Sequence, residues 1–343
     1  MICETVSTVS AFIWSTGKPL KRLERHYRPN LTRLKPGENE MRVSILKSSS
    51  DSMRLWHSSF LVFASIIVAY GQTSFKSETR VWRQQHEAEL MGEAGWLSVA
   101  GLFWLKEGVT TIGTDKRQVD IALPPNSAPP RVGSLKLENG VVTLQVADDV
   151  AVTVKDKLVH EYVMRFEGEG PPAQFKVGSL SLGVIKRGNR YGLRVRDKNN
   201  PARLNFKGLH WFPARESYRV VAKFTPYDEP KEIKIMNVLG DELKLKTPGL
   251  LSFRLNGQEF ELRPLVEDEK KLFIIFRDLT TGKTTYGAGR YLYSDLPKDG
   301  KVVLDFNRAE NPPCAFTDFA TCPLPPRQNF MKIAINAGEM KYK

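Results

Sequence analysis

The 343-residue chain is 41% hydrophobic and 26% charged, with a formal net charge of +13. That composition excludes collagen-like, low-complexity and wholly disordered classes and suffices for a sizeable core. Its Lys and Arg are spread as Lys-x-Lys and Arg-x-Arg along strand-like segments, without a cluster or a recognisable motif, so no nucleic-acid partner is expected.

Residues 1–52 alternate short apolar pieces with basic ones (Lys21, Arg22, Arg25, Arg28, Arg33) and hold no period, as in translated upstream sequence or a disordered arm. Met53 and Arg54 then lead into an apolar run, Phe60–Tyr70, and Ala69-Tyr70-Gly71 puts small residues where a signal peptidase cuts. Residues 53–71 therefore read as a signal peptide, with the mature chain starting near Gln72 and a periplasmic or extracellular destination. A buried element of a cytoplasmic protein is the competing reading of the same run. A bilayer span needs roughly 20 apolar residues, so no membrane span is expected after cleavage. Losing residues 1–71 removes ten Lys/Arg and five Asp/Glu and leaves a net charge of +8.

In the segment 72–108, Ser77–Met91 has no Gly or Pro and carries Val81, Trp82, Glu89 and Leu90 at helical spacing, which predicts one amphipathic helix. The apolar stretch Gly95–Leu105 follows as core. From Val109 almost to Phe306 the pattern is short alternating runs separated by turn residues. Asn139-Gly140 and Asn256-Gly257 each sit between alternating runs and predict hairpins with type I′ turns. Strands are expected at Tyr218–Phe224, Glu232–Val238, Lys271–Arg277 and Val302–Phe306. The fold class is mainly β, an antiparallel sandwich or barrel with one N-terminal helix. Gly168-Glu169-Gly170-Pro171-Pro172 predicts a boundary between a small β unit, 109–167, and a larger one, 173–343.

Two resemblances add to this. Thr111-Ile112-Gly113-Thr114-Asp115 and Val119-Asp120-Ile121-Ala122-Leu123-Pro124 resemble the opening strands of a forkhead-associated domain. The phosphate-gripping residues of that family are missing: Thr114 follows the Gly, and Ser127-Ala128-Pro129-Pro130 supplies no His. The resemblance implies a β-sandwich shell without the phosphothreonine reader. Gly95–Leu105, Arg190–Arg194, Trp211-Phe212-Pro213, Thr285–Tyr293, Leu304–Phe316 and Ala320–Pro326 resemble domain-of-unknown-function family 1684, over most of the mature chain and as an exported bacterial member. That resemblance implies no catalytic roles.

The irregular region Tyr286–Pro326 is where a site is expected, because such segments lie on surfaces above a rigid scaffold. Asp305, Asn307 and Asn311 offer oxygens, while Arg290 and Arg308 suit a carboxylate or phosphate. Antiparallel pairing of Tyr286–Tyr293 with Lys301–Phe306 across a short connection would bring Arg290 to Asp305 and gather Tyr286, Arg290, Asp305, Asn307 and Asn311 as ligand-binding residues. The bland reading makes the same residues turn caps and a salt bridge. Arg194 and Arg196 on one strand face, with Arg203 and Trp211, form a weaker anion candidate. In an oxidising compartment, Cys314 and Cys322 across a Pro-rich turn predict a disulfide, with free buried thiols next. His86, His160 and His210 lack metal-ligand spacing, so no metal is expected, and no cofactor is assigned. Three functions remain: an exported module binding a small polar or anionic ligand or a cell-envelope component, an extracytoplasmic hydrolase using Asp305 and Arg290, and a purely structural envelope protein. Oligomeric state is not indicated.

Overall fold

The computed structural model describes residues 74–166, 172–267 and 270–342. The expected leader and the arm before it lie outside them. Helix α1 covers residues 74–91, three residues earlier than the pattern suggests. Phe75 and Leu90 face inward while Val81 is 46% exposed, so the buried face differs from the one read from Val81.

The chain then builds β1 (Val99–Trp104), β2 (Gly108–Gly113), β3 (Ile121–Ala122), β4 (Gly133–Glu138), β5 (Val141–Val146), β6 (Thr153–Val154), β7 (Lys157–Leu158), β8 (Glu161–Met164), β9 (Gln174–Val177), β10 (Leu180–Arg187) and β11 (Arg190–Asp197). They form a five-stranded sheet, β3-β2-β4-β5-β8, and a six-stranded sheet, β1-β11-β10-β9-β6-β7. Inward residues alternate along strands such as β4 and β9, and Ile112, Leu135, Leu144, Phe175, Leu182 and Leu193 close one core between the sheets. Each such side chain contributes roughly 1.5–3 kcal/mol by leaving water. The β4–β5 turn has Asn139 and Gly140 at φ 51° and 80°, the left-handed pair that a type I′ hairpin needs.

The Gly/Pro stretch at 168–172 does not divide two cores. Val154 pairs with Phe175 across it, and β10 and β11 complete the sheet that β1 begins. Residues 167–171 lie outside the described residues, and the strands on either side of them pair within one sandwich.

After α2 (Pro201–Leu204), capped by the Asn200 side chain, come β12 (Arg219–Met236), β13 (Glu242–Leu255), β14 (Gln258–Leu262), β15 (Leu265–Glu267), β16 (Lys271–Phe276), β17 (Arg290–Asp295) and β18 (Lys301–Asp305). Their sheets run β14-β13-β12-β18 and β15-β16-β17, around a second core that includes Leu251, Phe276, Leu292, Leu304 and Phe306. The architecture is mainly β, largely antiparallel, and among the described residues no sheet closes into a barrel.

The expected ladder between β17 and β18 does not form. β18 pairs with β12, Asp305 opposite Arg219, and β17 pairs with β16, Arg290 opposite Phe276. β17 and β18 are edge strands of two different sheets, so the short 296–300 connection turns a corner between sheets instead of closing a hairpin. Beyond β18 the chain is irregular. Its last segment passes under residues 306–309 at Gly338, whose φ is 79° and where an added Cβ would lie 2.5 Å from the Ala309 carbonyl oxygen. Only glycine allows that crossing without displacement. The Glu339 amide then donates to the Ala309 oxygen at 2.8 Å, which fixes Glu339 beneath α1.

Candidate functional site

The five expected ligand residues do not form one group. Arg290 is 1% exposed, and its guanidinium donates to Asp278 at 2.5 Å, to the Ile335 carbonyl at 3.0 Å and to the Ala337 carbonyl. Its partner is Asp278, not Asp305. The second Asp278 oxygen accepts from the Thr280 amide at 2.8 Å and from the Thr280 hydroxyl. This closed group ties the C-terminal segment to β17. Asn307 is likewise occupied: its amide oxygen accepts from the Arg215 N–H and its Nδ2 donates to the Arg215 oxygen, both at 2.9 Å. Tyr286 lies elsewhere, packed with Leu90, Leu97 and Phe316, and its hydroxyl donates to the Cys314 carbonyl at 2.8 Å. Burial first, then the neighbouring Cys314, pushes its pKa up to about 12.

The expected disulfide is not present. Cys314 and Cys322 are free thiols, with the Cys314 amide donating to the Cys322 sulfur at 3.2 Å. The thiols sit as hydrogen-bonding partners. That contact holds Cys314 below the usual thiol pKa and pushes Cys322 above it. The second candidate group is structural too: Arg194 is buried with its guanidinium 5.1 Å from the Trp96 ring, and Arg196 and Arg203 donate to the Ala94 and Met91 carbonyls.

Asp305 and Asn311 belong to a different grouping, one that α1 completes. Thr79, Trp82, Arg83 and His86 follow i, i+3, i+4, i+7 and so share one face of the helix. That face meets the segment after β18. Asp305 caps the short helical turn Phe306–Arg308, its Oδ1 accepting from the Asn307 N–H at 3.1 Å and from Asn307 Nδ2 at 2.9 Å. Its Oδ2 lies 3.6 Å from Arg308 Nε, too long for a hydrogen bond. Asn311 donates its amide to Glu339 at 2.9 Å and its Nδ2 to Glu339 at 2.5 Å and to the Met340 carbonyl at 2.8 Å. His86 stands between two carboxylates, Nδ1 3.4 Å from Glu310 and Nε2 3.5 Å from Glu339. Its ring stacks on Trp82 at 5.3 Å and meets the edge of Trp211 at 5.8 Å. Arg83 lies 4.7 Å from the Trp211 ring centroid and donates to the Phe212 carbonyl. Burial lowers the Arg83 pKa, and the charges of Asp305 and Glu87 oppose that.

The grouping is marked by what it leaves open. Six buried side-chain atoms of this grouping lack a hydrogen-bond partner among the described residues: Thr79 Oγ1, Arg83 Nε, His86 Nε2, Asp305 Oδ2, Arg308 Nε and Asn311 Oδ1. Buried polar atoms are nearly always satisfied, so six in one seam call for something polar to fill it. An open groove of about 450 Å³ runs along the neighbouring stripe of α1 and reaches the seam through Trp82 and Arg308, with Ser77, Glu78 and Gln85 on its walls. Among the described residues no group of three His, Cys, Asp or Glu side chains converges as metal ligands would.

Sequence reasoning named Asp305, Arg308 and Asn311 among its candidates but did not draw in Thr79, Arg83, His86, Glu310 and Glu339. The helical spacing of the first three with Trp82 was the available signal.

Residues 204–340 match the model of a family described as "Protein of unknown function (DUF1684)". No curated protein matches the chain. The solution NMR structure of an uncharacterized protein of Haloarcula marismortui is 35% identical, over 40% of this chain and 78% of that one, at a TM-score of 0.34. The FhaA FHA domain, solved in complex with the intracellular domain of another protein, is 18% identical over 28% of this chain and 97% of its own, at a TM-score of 0.20. A structure from work on phosphothreonine-dependent FHA interactions has the same identity and TM-score over 92% of its own length.

Proposed function

The chain belongs to the DUF1684 family, described only as of unknown function, and from its geometry we propose an exported module that binds a small polar or anionic ligand in the seam between α1 and residues 305–311. The observation that carries this reading is the set of six unpartnered buried polar atoms in that seam. Arg83 Nε and Arg308 Nε call for acceptors, whereas Asp305 Oδ2 and Asn311 Oδ1 call for donors. A ligand that carries a carboxylate beside hydroxyl groups meets both demands, so a hydroxy acid or sugar acid is the favoured class. Such acids occur in cell-envelope polymers, which suits an exported protein. Binding is favoured over hydrolysis because Asp305 spends one oxygen on Asn307 and because Arg290, the partner a hydrolase reading needs, is sealed against Asp278.

The test is an NMR titration of the full chain with galacturonate, galactose and inorganic phosphate, following the Trp82 indole and the Arg83 and Arg308 Nε–H signals. Galacturonate is expected to shift all three saturably, galactose and phosphate less, and Arg308→Ala to weaken galacturonate by about tenfold, the loss of one charge-assisted hydrogen bond. Unmoved signals with every probe would refute the reading.

A further inference from the structure

A neutral imidazole has one N–H and one lone pair, so it can satisfy only one of two facing carboxylates; the imidazolium, with two N–H groups, satisfies both. His86 meets this situation. Glu310 faces Nδ1 at 3.4 Å and Glu339 faces Nε2 at 3.5 Å. Neither carboxylate is on α1. Glu310 comes from the segment after β18, where its backbone bridges to Tyr291, and Glu339 from the C-terminal segment, where Asn311 holds both of its oxygens. We propose that His86 is a proton-operated clasp that fastens α1 over the ligand seam, closed as the imidazolium and loosened when the proton leaves. This control acts on the seam assigned above as a ligand site and names its regulation.

The other groups packed around His86 are consistent with that charge. Glu89 adds a third negative charge from α1 itself. Trp82 and Trp211 cover the ring, and each has a cation close to it: Arg308 5.7 Å from the Trp82 centroid and Arg83 4.7 Å from that of Trp211. Glu87 is drawn off to the Trp211 indole N–H at 2.9 Å. Burial alone would lower the His86 pKa, but Glu339, Glu310 and Glu89 together raise it above the usual 6.5. With the folded-state value raised, the stabilisation is complete below pH 6.5 and is lost as pH rises through the His86 midpoint.

The experiment uses the full chain without ligand. The His86 ring proton is titrated by NMR between about pH 5 and 9, and hydrogen exchange of the amides in residues 78–90 is followed over the same range, corrected for intrinsic base catalysis. Protection of α1 is expected to fall in step with His86 deprotonation, by about tenfold for each pH unit by which its midpoint exceeds that of a free imidazole. His86→Gln should abolish the transition. Glu310→Gln, which leaves the Asn311–Glu339 contacts intact, should move the His86 midpoint and the α1 transition downward together. Protection that ignores His86 titration, or a transition that persists in His86→Gln, overturns the clasp. Because no ligand enters, failure of galacturonate to bind leaves this result standing, and a failed clasp leaves ligand binding standing.

Discussion

Two polar clusters in the same half of the molecule solve the burial of charge in opposite ways. Around Arg290 the partners close in: Asp278 takes the charge, Thr280 takes the second carboxylate oxygen, and two carbonyls of the C-terminal segment accept from the guanidinium. Around Arg83, the residues are equally polar but stop short of one another, with Arg308 and Asp305 at 3.6 Å. A saturated cluster is a fastener. An unsaturated one keeps the donors and acceptors that a ligand or ordered water must supply.

The comparison breaks first at the fastener. Asp278→Ala leaves the Arg290 guanidinium buried without its counter-charge, and urea unfolding should show a loss of about 3–5 kcal/mol. The loss should appear without any change in the groove, which galacturonate titration of the surviving folded protein would show. Gly338→Ala comes next. It sets a Cβ against the Ala309 and Phe306 carbonyl oxygens at positive φ, and the same unfolding measurement should lose about 1–3 kcal/mol. Unlike the first variant it also displaces Glu339, so the His86 ring proton should titrate at lower pH.

Asp305→Asn sharpens the contrast from the other side. Asn caps a helical turn about as well as Asp, so stability should change by less than about 1 kcal/mol. Removing the charge that faces Arg83 and Arg308 should nevertheless change galacturonate affinity severalfold, as measured by calorimetry. Melting earlier with unchanged binding would make Asp305 scaffold. The smallest effect is expected for the exposed Arg254–Glu259 pair, where Arg254→Gln should cost less than about 0.5 kcal/mol in unfolding despite a 3.1 Å contact.

Local chemistry in the sequence was a good guide wherever neighbours in the chain decide the structure. Asn139-Gly140 and Asn256-Gly257 specify their own turns, and the alternating runs around them become β4, β5, β13 and β14. It failed where a choice between distant partners decides. The connection after β17 is short enough for a hairpin, yet β18 finds its ladder on β12, over seventy residues upstream. The Gly/Pro stretch at 168–172 punctuates the chain as a boundary would, but pairing of β6 with β9 is invisible in composition. The site shows the same division. Asp305 and Asn311 were legible as oxygen-bearing residues just after a strand, and the spacing Thr79, Trp82, Arg83, His86 was legible as one helix face. That this face meets Glu310 and Glu339, more than two hundred residues further along, follows only from the fold.

The contrast between closed and open clusters is tested most directly by solvent exchange of the arginine side-chain N–H groups, read by ¹⁵N NMR in the ligand-free protein and again with saturating galacturonate. Arg290 should exchange slowly in both conditions, because its donors are buried and bonded. Arg83 and Arg308 Nε–H should exchange fast in the free protein and slow several-fold on saturation. Arg83 and Arg308 protected to the level of Arg290 before any ligand is added would contradict the account, for the seam would then be as closed as the fastener.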